Sequence, residues 1–280
     1  MTVLIRSKPM KHPTLSLLCL LACLIGQAQE FPLSDFSPSR IPKVYDSGWF
    51  QLNNSQYEIK VEWKDGAARI SRWKYSPESD YSLPGKGSLM GVNMGEFGGG
   101  LYFKPADSVD SVFYIDGRRG PTQQSFFGGL MVPLANPIHQ RLKGYSRVAN
   151  GNVVGIFQYK DSLFYLDGLA HMGLVIGGTY SVVVKRDSFA IARVADLGDC
   201  PMAYLADVQR LWIVTMQGLL MVENGQVNRV LSHVFWSGLY PNSICLDPTG
   251  TLYVGLRGGY AKVDVKTWKV MFFKYNEHPV

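Results

Sequence analysis

The chain is poor in charge and in cysteine, and its interior holds no long apolar run. Only 18% of its 280 residues are charged, against 46% hydrophobic and 12% aromatic. A disordered protein would carry more charge and fewer aromatics, so that class is excluded. No interior segment approaches the ~20 apolar residues of a membrane-spanning helix, which excludes a multi-span membrane protein. Standard catalytic signatures are missing as well: no HExxH, no GxSxG, no GxxxxGK and no cysteine cluster with zinc spacing. Gly85-x-Gly87 lacks the third glycine of a dinucleotide loop. The glycine-rich stretch Gly95 to Gly100 (GEFGGG) would need a helix N-terminus behind it to cradle a phosphate. Leu101-Tyr102-Phe103 follows instead and reads as a strand, so the stretch is a turn.

The first 28 residues read as an export leader. Arg6, Lys8 and Lys11 form a basic start, Leu15 to Ile25 is almost unbroken in apolar residues, and Gly26-Gln27-Ala28 supplies small residues for cleavage. Met10 is an alternative start. A lipoprotein anchored at Cys23 is a second reading, weakened by bulky Leu21 and by the apolar residues that continue past Cys23. The mature chain is expected in the periplasm or outside the cell, with no transmembrane span.

Removing the leader changes two counts. All 22 acidic residues follow it while three of the 28 basic ones precede it, so 25 basic face 22 acidic and the net charge falls from +6 to +3. No basic run survives, and a nucleic-acid partner is not expected. Of the four cysteines, Cys19 and Cys23 leave with the leader, while Cys200 and Cys245 remain.

What is present is turn and strand material: 29 Gly, 14 Phe, 15 Tyr and 6 Trp. In the C-terminal third, Asn242 to Asp247, Thr251 to Leu256, Tyr260 to Asp264 and Trp268 to Phe273 read as four short antiparallel strands. Met202 to Asp207, Arg210 to Thr215, Gly218 to Glu223 and Val227 to Leu231 repeat that grammar. Leu205 and Leu246, Leu211 and Leu252, Gly218 and Gly259 are each 41 residues apart. A third copy runs over Val153 to Tyr159, Ser162 to Leu166, Gly178 to Lys185 and Ser188 to Val194. A fourth covers Ser88 to Asn93, Gly99 to Lys104 and Ser111 to Asp116, with Gly100 lying 78 residues before Gly178. That gap of nearly two periods leaves room for a degenerate copy over residues 117–150, around Phe126 to Pro133.

A four-stranded unit recurring every 40 residues or so predicts an all-β fold, a β-propeller of five or six blades. A β-sandwich or another multi-hairpin fold is the alternative. The repeated glycine opens the third strand directly after a turn, where positive φ or close approach to the neighbouring blade is expected to exclude a Cβ. Residues 29–47, with Pro32, Pro38 and Pro42, read as an extended lead-in, and 48–280 as one propeller domain. Tyr57 to Lys64, Asp65-Gly66 and Ala67 to Tyr75 form a strong hairpin signal, either a first blade or a hairpin that closes the ring. Cys200 and Cys245 differ in register by about four residues, roughly 13 Å along a strand. A disulfide needs Cα atoms within about 7 Å, so two unpaired thiols are expected, at least one of them buried.

Leu211-Trp212-Ile213-Val214-Thr215-Met216-Gln217-Gly218-Leu219 resembles the LWIGTxxGL pattern of the two-component-regulator propeller repeats. Asp247-Pro248-Thr249-Gly250-Thr251-Leu252-Tyr253-Val254-Gly255 resembles their D-x-x-G-x-L-W-V-G turn, shared with NHL-type propellers. Val214 stands for the usual Gly in the first and Tyr253 for Trp in the second. The likeness is clear over residues 200–275. It implies a blade in an extracellular sensing or binding setting, and carries over no catalytic residue. No kinase or receiver sequence accompanies it, so a complete hybrid sensor is not expected.

In a meander blade, the turn between strands two and three lies at the same end as the link to the next blade. One channel mouth is therefore expected to collect Glu96, Phe97, His171, Gln217 and Arg257, joined by Asp199, Trp236 and Tyr240 from the links. Such a ring suits a small polar ligand or a protein partner. The first reading is an exported, monomeric binding module without a cofactor. The second is a small propeller enzyme of the metal-assisted lactonase or cyclotransferase type, with calcium or zinc on carboxylates such as Glu96 and Asp167. The third is a scaffold in a cell-surface complex.

Overall fold

The computed structural model describes residues 29–95, 98–107, 124–127, 130–133, 142, 144–186 and 188–277. After a 3-10 turn at Leu33–Asp35 comes β1 (Phe36–Ser39), then helix α1 (Ser47–Asn53). The hairpin β2 (Ile59–Lys64) and β3 (Ala67–Arg72) follows. The first four-stranded sheet is β4 (Glu78–Leu83), β5 (Gly87–Asn93), β6 (Gly99–Pro105) and β9 (Ser146–Asn150). Between its last two strands lies the hairpin β7 (Gln124–Phe127) and β8 (Leu130–Pro133). The second sheet is β10 (Val153–Tyr159), β11 (Ser162–His171), β12 (Leu174–Val184) and β13 (Phe189–Asp196). The third is β14 (Pro201–Ala206), β15 (Arg210–Thr215), β16 (Gly218–Glu223) and β17 (Gln226–Ser232). The fourth is β18 (Ser243–Leu246), β19 (Thr251–Leu256), β20 (Gly259–Asp264) and β21 (Val270–Tyr275), extended at its edge by β1. Every pairing is antiparallel, and the fold is all-β with repeated four-stranded sheets in the manner of a β-propeller. Among the described residues no helix is long and apolar enough to cross a membrane.

Successive sheets pack face to face, with one apolar cluster in each interface. Leu89 and Leu101 of the first sheet meet Val153, Ile156, Tyr165 and Val182 of the second. Phe157, Tyr159 and Leu166 meet Leu211, Ile213 and Leu220 of the third. Trp212, Val214 and Leu219 meet Leu252, Val254, Ala261 and Phe272 of the fourth. Finally Cys245, Tyr253 and Tyr260 meet Ile59, Val61 and Ile70 of the first hairpin. The first strands β4, β10, β14, β18 and β2 touch in that order, so they form the inner row. The other face of the hairpin carries the half-exposed Lys60, Glu62 and Arg69. The outer face of the first sheet buries a small cluster of its own, Met90, Val92 and Tyr102.

The repeated glycines occupy one structural position. Gly100, Gly178, Gly218 and Gly259 pair with Asn150, Asp196, Ser232 and Lys274 at the start of each outer-strand ladder. A Cβ on Gly218 or Gly259 would collide with the carbonyl oxygen of Leu231 or Phe273. Close approach rather than positive φ is therefore the reason for glycine, and the neighbour is the outer strand of the same sheet rather than the next blade. The hairpin turn Asp65-Gly66 has positive φ at both residues (53° and 76°), the type I′ geometry that matches strand twist.

Three expectations are revised. The fourth strand of the first sheet is Ser146–Asn150; the expected strand at 111–116 lies outside the described residues. Of the supposed degenerate copy at 117–150, the described part is the two-stranded β7–β8 hairpin and the strand β9, which belongs to the sheet before it. Local patterning cannot show that a strand pairs across an insertion of this length. The lead-in is also less extended than expected. β1 adds a fifth strand to the fourth sheet, and Asp46 caps α1 by accepting from the Trp49 N–H at 2.7 Å, which buries Trp49 and Leu52 in the core. Cys200 and Cys245 are both free and buried, as expected from their register.

Candidate functional site

The meander brings the start of each first strand and the end of each second strand to one end of the molecule. A cavity of about 650 Å³ opens there. Its wall takes residues from all four large sheets and from the first hairpin. Glu58, Trp73 and Tyr75 come from the hairpin and its exit, and Ser79 and Asn93 from the first sheet. Gly168 and Ala170 belong to the second sheet, Pro201 and Met216 to the third, and Tyr240, Asn242 and Arg257 to the fourth and its link.

Glycine sets how closely these strands converge. Gly255 on β19 lies against the next inner strand, where a Cβ would meet the Ile59 carbonyl oxygen and the Ser243 hydroxyl. Gly91 on β5 stands at the same register and faces Val153 and Ser79. These two match the glycine of the repeat pattern, at the place where Val214 stands in the third sheet.

Arg257 is the most connected cation of the mouth. Its Nε donates to Glu58 Oε1 at 3.1 Å, Nη2 donates to the same oxygen, and Nη1 donates to the Asn53 carbonyl at 3.0 Å. The guanidinium lies 4.3 Å from the centre of the Tyr240 ring. Tyr240 is held at φ 51°, a left-handed conformation rare for an aromatic residue, and is 46% exposed. Strained backbone of this kind collects at functional surfaces. Nearby, the Tyr75 hydroxyl donates to the Asn93 carbonyl at 2.8 Å, and Trp73 and Tyr75 meet edge to face at 5.7 Å.

Among the described residues, two buried polar atoms in the wall have no hydrogen-bond partner, Ser79 Oγ and Asn242 Nδ2. Ser79 and Ser243 are equivalent, since they pair with Gly91 and Gly255 respectively. Ser243 Oγ accepts from the Val61 N–H at 2.9 Å and donates to Asn242 Oδ1 at 2.8 Å. Ser79 lies beside β10 in the same way, yet its hydroxyl makes no such bond among the described residues. Buried polar groups are nearly always paired; Asn53 Oδ1, Asn152 Oδ1 and Thr179 Oγ1 are the other such atoms among the described residues, and they lie outside this wall.

Of the residues expected at the mouth, Arg257 and Tyr240 line the cavity. Gln217 stands beside the lining residue Met216, with its N–H donating to Asp199 Oδ2 at 3.1 Å. His171 lies at the end of β11, one residue beyond Ala170 of the wall. Trp236 belongs to the core: it is fully buried, and its Nε1 donates to the Thr215 carbonyl at 3.2 Å. Glu96 and Phe97 lie outside the described residues. Asp199 is buried as a structural acceptor for Thr215 Oγ1 at 2.6 Å, the Cys200 N–H at 2.8 Å and Arg229 Nη1 at 3.3 Å. Asp167 accepts from the Asn152 N–H at 2.6 Å. Burial pushes its carboxyl above the usual range, and hydrogen bonds from Asn152 and Gly168 offset part of that. Among the described residues no three His, Cys, Asp or Glu side chains gather in metal-binding geometry.

Sequence reasoning missed Trp73, Tyr75, Ser79, Asn93 and Asn242. Asn242 opens a strand that the repeat shows, whereas Ser79 lies on β4 (Glu78–Leu83), a strand that the repeat grammar does not reach. Trp73 and Tyr75 lie beyond the hairpin's last paired residue and carried no such signal.

No family model matches the chain, and no curated protein matches it. Similar solved structures include the extracellular domain of a putative one-component system from B. thetaiotaomicron (15% identity, TM-score 0.38, 75% of this chain and 30% of that one). PorZ, a surface component of the type-IX secretion system of Porphyromonas gingivalis, aligns at 11% identity and TM-score 0.38, over 77% of this chain and 31% of that one. A gluconolactonase from Xanthomonas campestris aligns at 13% identity and TM-score 0.39, over 89% and 87%. The chain thus spans about a third of the length of the first two.

Proposed function

We propose that the chain is an exported β-propeller of five units, four sheets and the first hairpin, that binds a small polar ligand at this mouth. One observation carries the reading: the wall of the mouth cavity holds two buried polar atoms, Ser79 Oγ and Asn242 Nδ2, that have no partner among the described residues. Around them stand the rings of Trp73, Tyr75 and Tyr240 and the ion-paired Arg257. A concavity with a few aimed polar groups between aromatic surfaces is what ligand sites share. Binding asks only for that shape and those groups. Export rests on the basic start, apolar core and small residues of positions 1–28.

The test is ligand-observed NMR of the mature chain against a library of small polar compounds, repeated with Tyr240→Asn and Asn242→Ala. Asn tolerates the left-handed backbone at position 240 while removing the ring. Binders found with the parent protein should weaken at least tenfold in both variants, about 1.4 kcal/mol. Binders indifferent to both substitutions would place the site elsewhere.

A further inference from the structure

The first residues after the expected leader are structural. The Arg72 N–H donates to the Gln29 carbonyl at 3.0 Å, and the Phe31 N–H donates to the Ile70 carbonyl at 2.8 Å. Glu30 bridges Ser71 between them, so residues 29–31 pair antiparallel along the outer edge of β3. Phe31 then enters the core, with its ring 6.4, 6.2 and 5.0 Å from those of Phe36, Tyr57 and Tyr275. Five residues later β1 pairs with β21. This short clasp therefore ties the hairpin to the fourth sheet. Gln29 is anchored through its carbonyl alone; its side chain is exposed and makes no hydrogen bond among the described residues.

We infer that Gln29, once freed as the first residue, closes to pyroglutamate and that the mature chain carries this neutral cap. The inference rests on the export reading above, with cleavage between Ala28 and Gln29. Hydrolysis of that peptide bond leaves an α-amine on Gln29. Its nitrogen attacks Cδ of the same residue's side-chain amide, forming an N–Cδ bond and a five-membered lactam. The Cδ–Nε2 bond breaks, and the departing nitrogen takes up a proton from the α-amine and leaves as ammonia. No oxidant, reductant or further reactant is required.

Two features of the clasp suit this end. The lactam uses the α-nitrogen and the side chain of Gln29, so the carbonyl that accepts from Arg72 stays in place. A free α-ammonium would also stand across from Arg72, on a strand edge that already carries Arg69, which lies 3.9 Å from Glu30 and from Asp65 and opposite Glu62 on β2. Closing the ring removes that third positive charge. It also leaves no free amine from which an aminopeptidase could trim the residues leading to Phe31.

The experiment is mass spectrometry of the full chain expressed with its own leader and recovered from the exported fraction. It is read on the N-terminal peptide before and after prolonged incubation at neutral pH. The expected peptide begins at residue 29, is lighter than the Gln form by one ammonia, and becomes sequenceable only after treatment with pyroglutamyl peptidase. A Gln29→Ala chain should begin at the same position with a free amine. A peptide that begins with Gln29 and keeps its amine through the incubation overturns the cap while leaving export intact. A chain that keeps its leader, begins elsewhere or carries lipid on Cys23 overturns the cap through the export reading itself.

Discussion

At the scale of single residues, the account depends on what a side chain would touch. Gly255 is legible in the sequence as the glycine of the repeat pattern, and the structure supplies its reason in the Ile59 carbonyl beside it. Gly255→Ala should cost about 1–3 kcal/mol through overpacking, read as a lower urea midpoint at unchanged slope. The cysteines were also legible, from register alone. Burial pushes both thiols up to about 12, with Asp199 beside Cys200 and Asp247 beside Cys245 adding to the shift. Thiolates being the reactive form, neither cysteine should react with a disulfide reagent at pH 8 until the protein is unfolded. Asp247 shows the opposite balance. Burial raises its carboxyl, but bonds from Thr251, Thr249 and Tyr253 outweigh this and hold it below the usual range. A carboxyl lowered in the folded state stabilises above its unfolded value of about 3.9, and that contribution fades as pH falls through the folded value. Asp247→Asn should therefore cost on the order of 1.5–3 kcal/mol at neutral pH, with the deficit shrinking below about pH 4 in urea titrations. The unpartnered atoms of Ser79 and Asn242 were not legible, because only neighbouring strands decide whether a hydroxyl or amide is satisfied.

At the scale of elements, alternation and turn chemistry carried most of the information. Tyr57 to Lys64 alternates apolar and charged residues around Asp65-Gly66, and the hairpin forms with Ile59 and Val61 buried. Arg210–Thr215, Gly218–Glu223 and Thr251–Leu256 begin and end where the periodicity placed them. Helix α1 escaped notice: its seven residues span under two turns, too few for a helical period to declare itself. β9 escaped because its partner β6 lies across a long insertion. The clasp before β1 is a further element that sequence left as coil, and its weight is testable. Phe31→Ala should cost about 3–5 kcal/mol. It should also speed hydrogen exchange in β2 and β3 more than in β14 and β15, since Phe31 touches the hairpin and not the third sheet.

At the scale of the whole molecule, the constant period gave the architecture, because a unit of fixed length packing on its neighbours fills one interface per copy. Four such interfaces are apolar. The hairpin's other face is charged through Lys60, Glu62 and Arg69. The alternation of Tyr57, Ile59, Val61 and Trp63 with Glu58, Lys60, Glu62 and Lys64 already separates these two faces in the sequence, and the fourth sheet covers the apolar one. The proposed function lives at the same scale: it takes the mouth formed by first-strand starts and second-strand ends, rather than the opposite end, as the working surface. Photocrosslinking in the producing cell tests this most directly, with a benzoyl-phenylalanine placed at Tyr240 in the mouth or at Val208, 91% exposed in the β14–β15 turn at the other end. The account predicts an adduct, small ligand or partner, from position 240 and none from 208. Adducts from 208 alone, or equally from both, would contradict it.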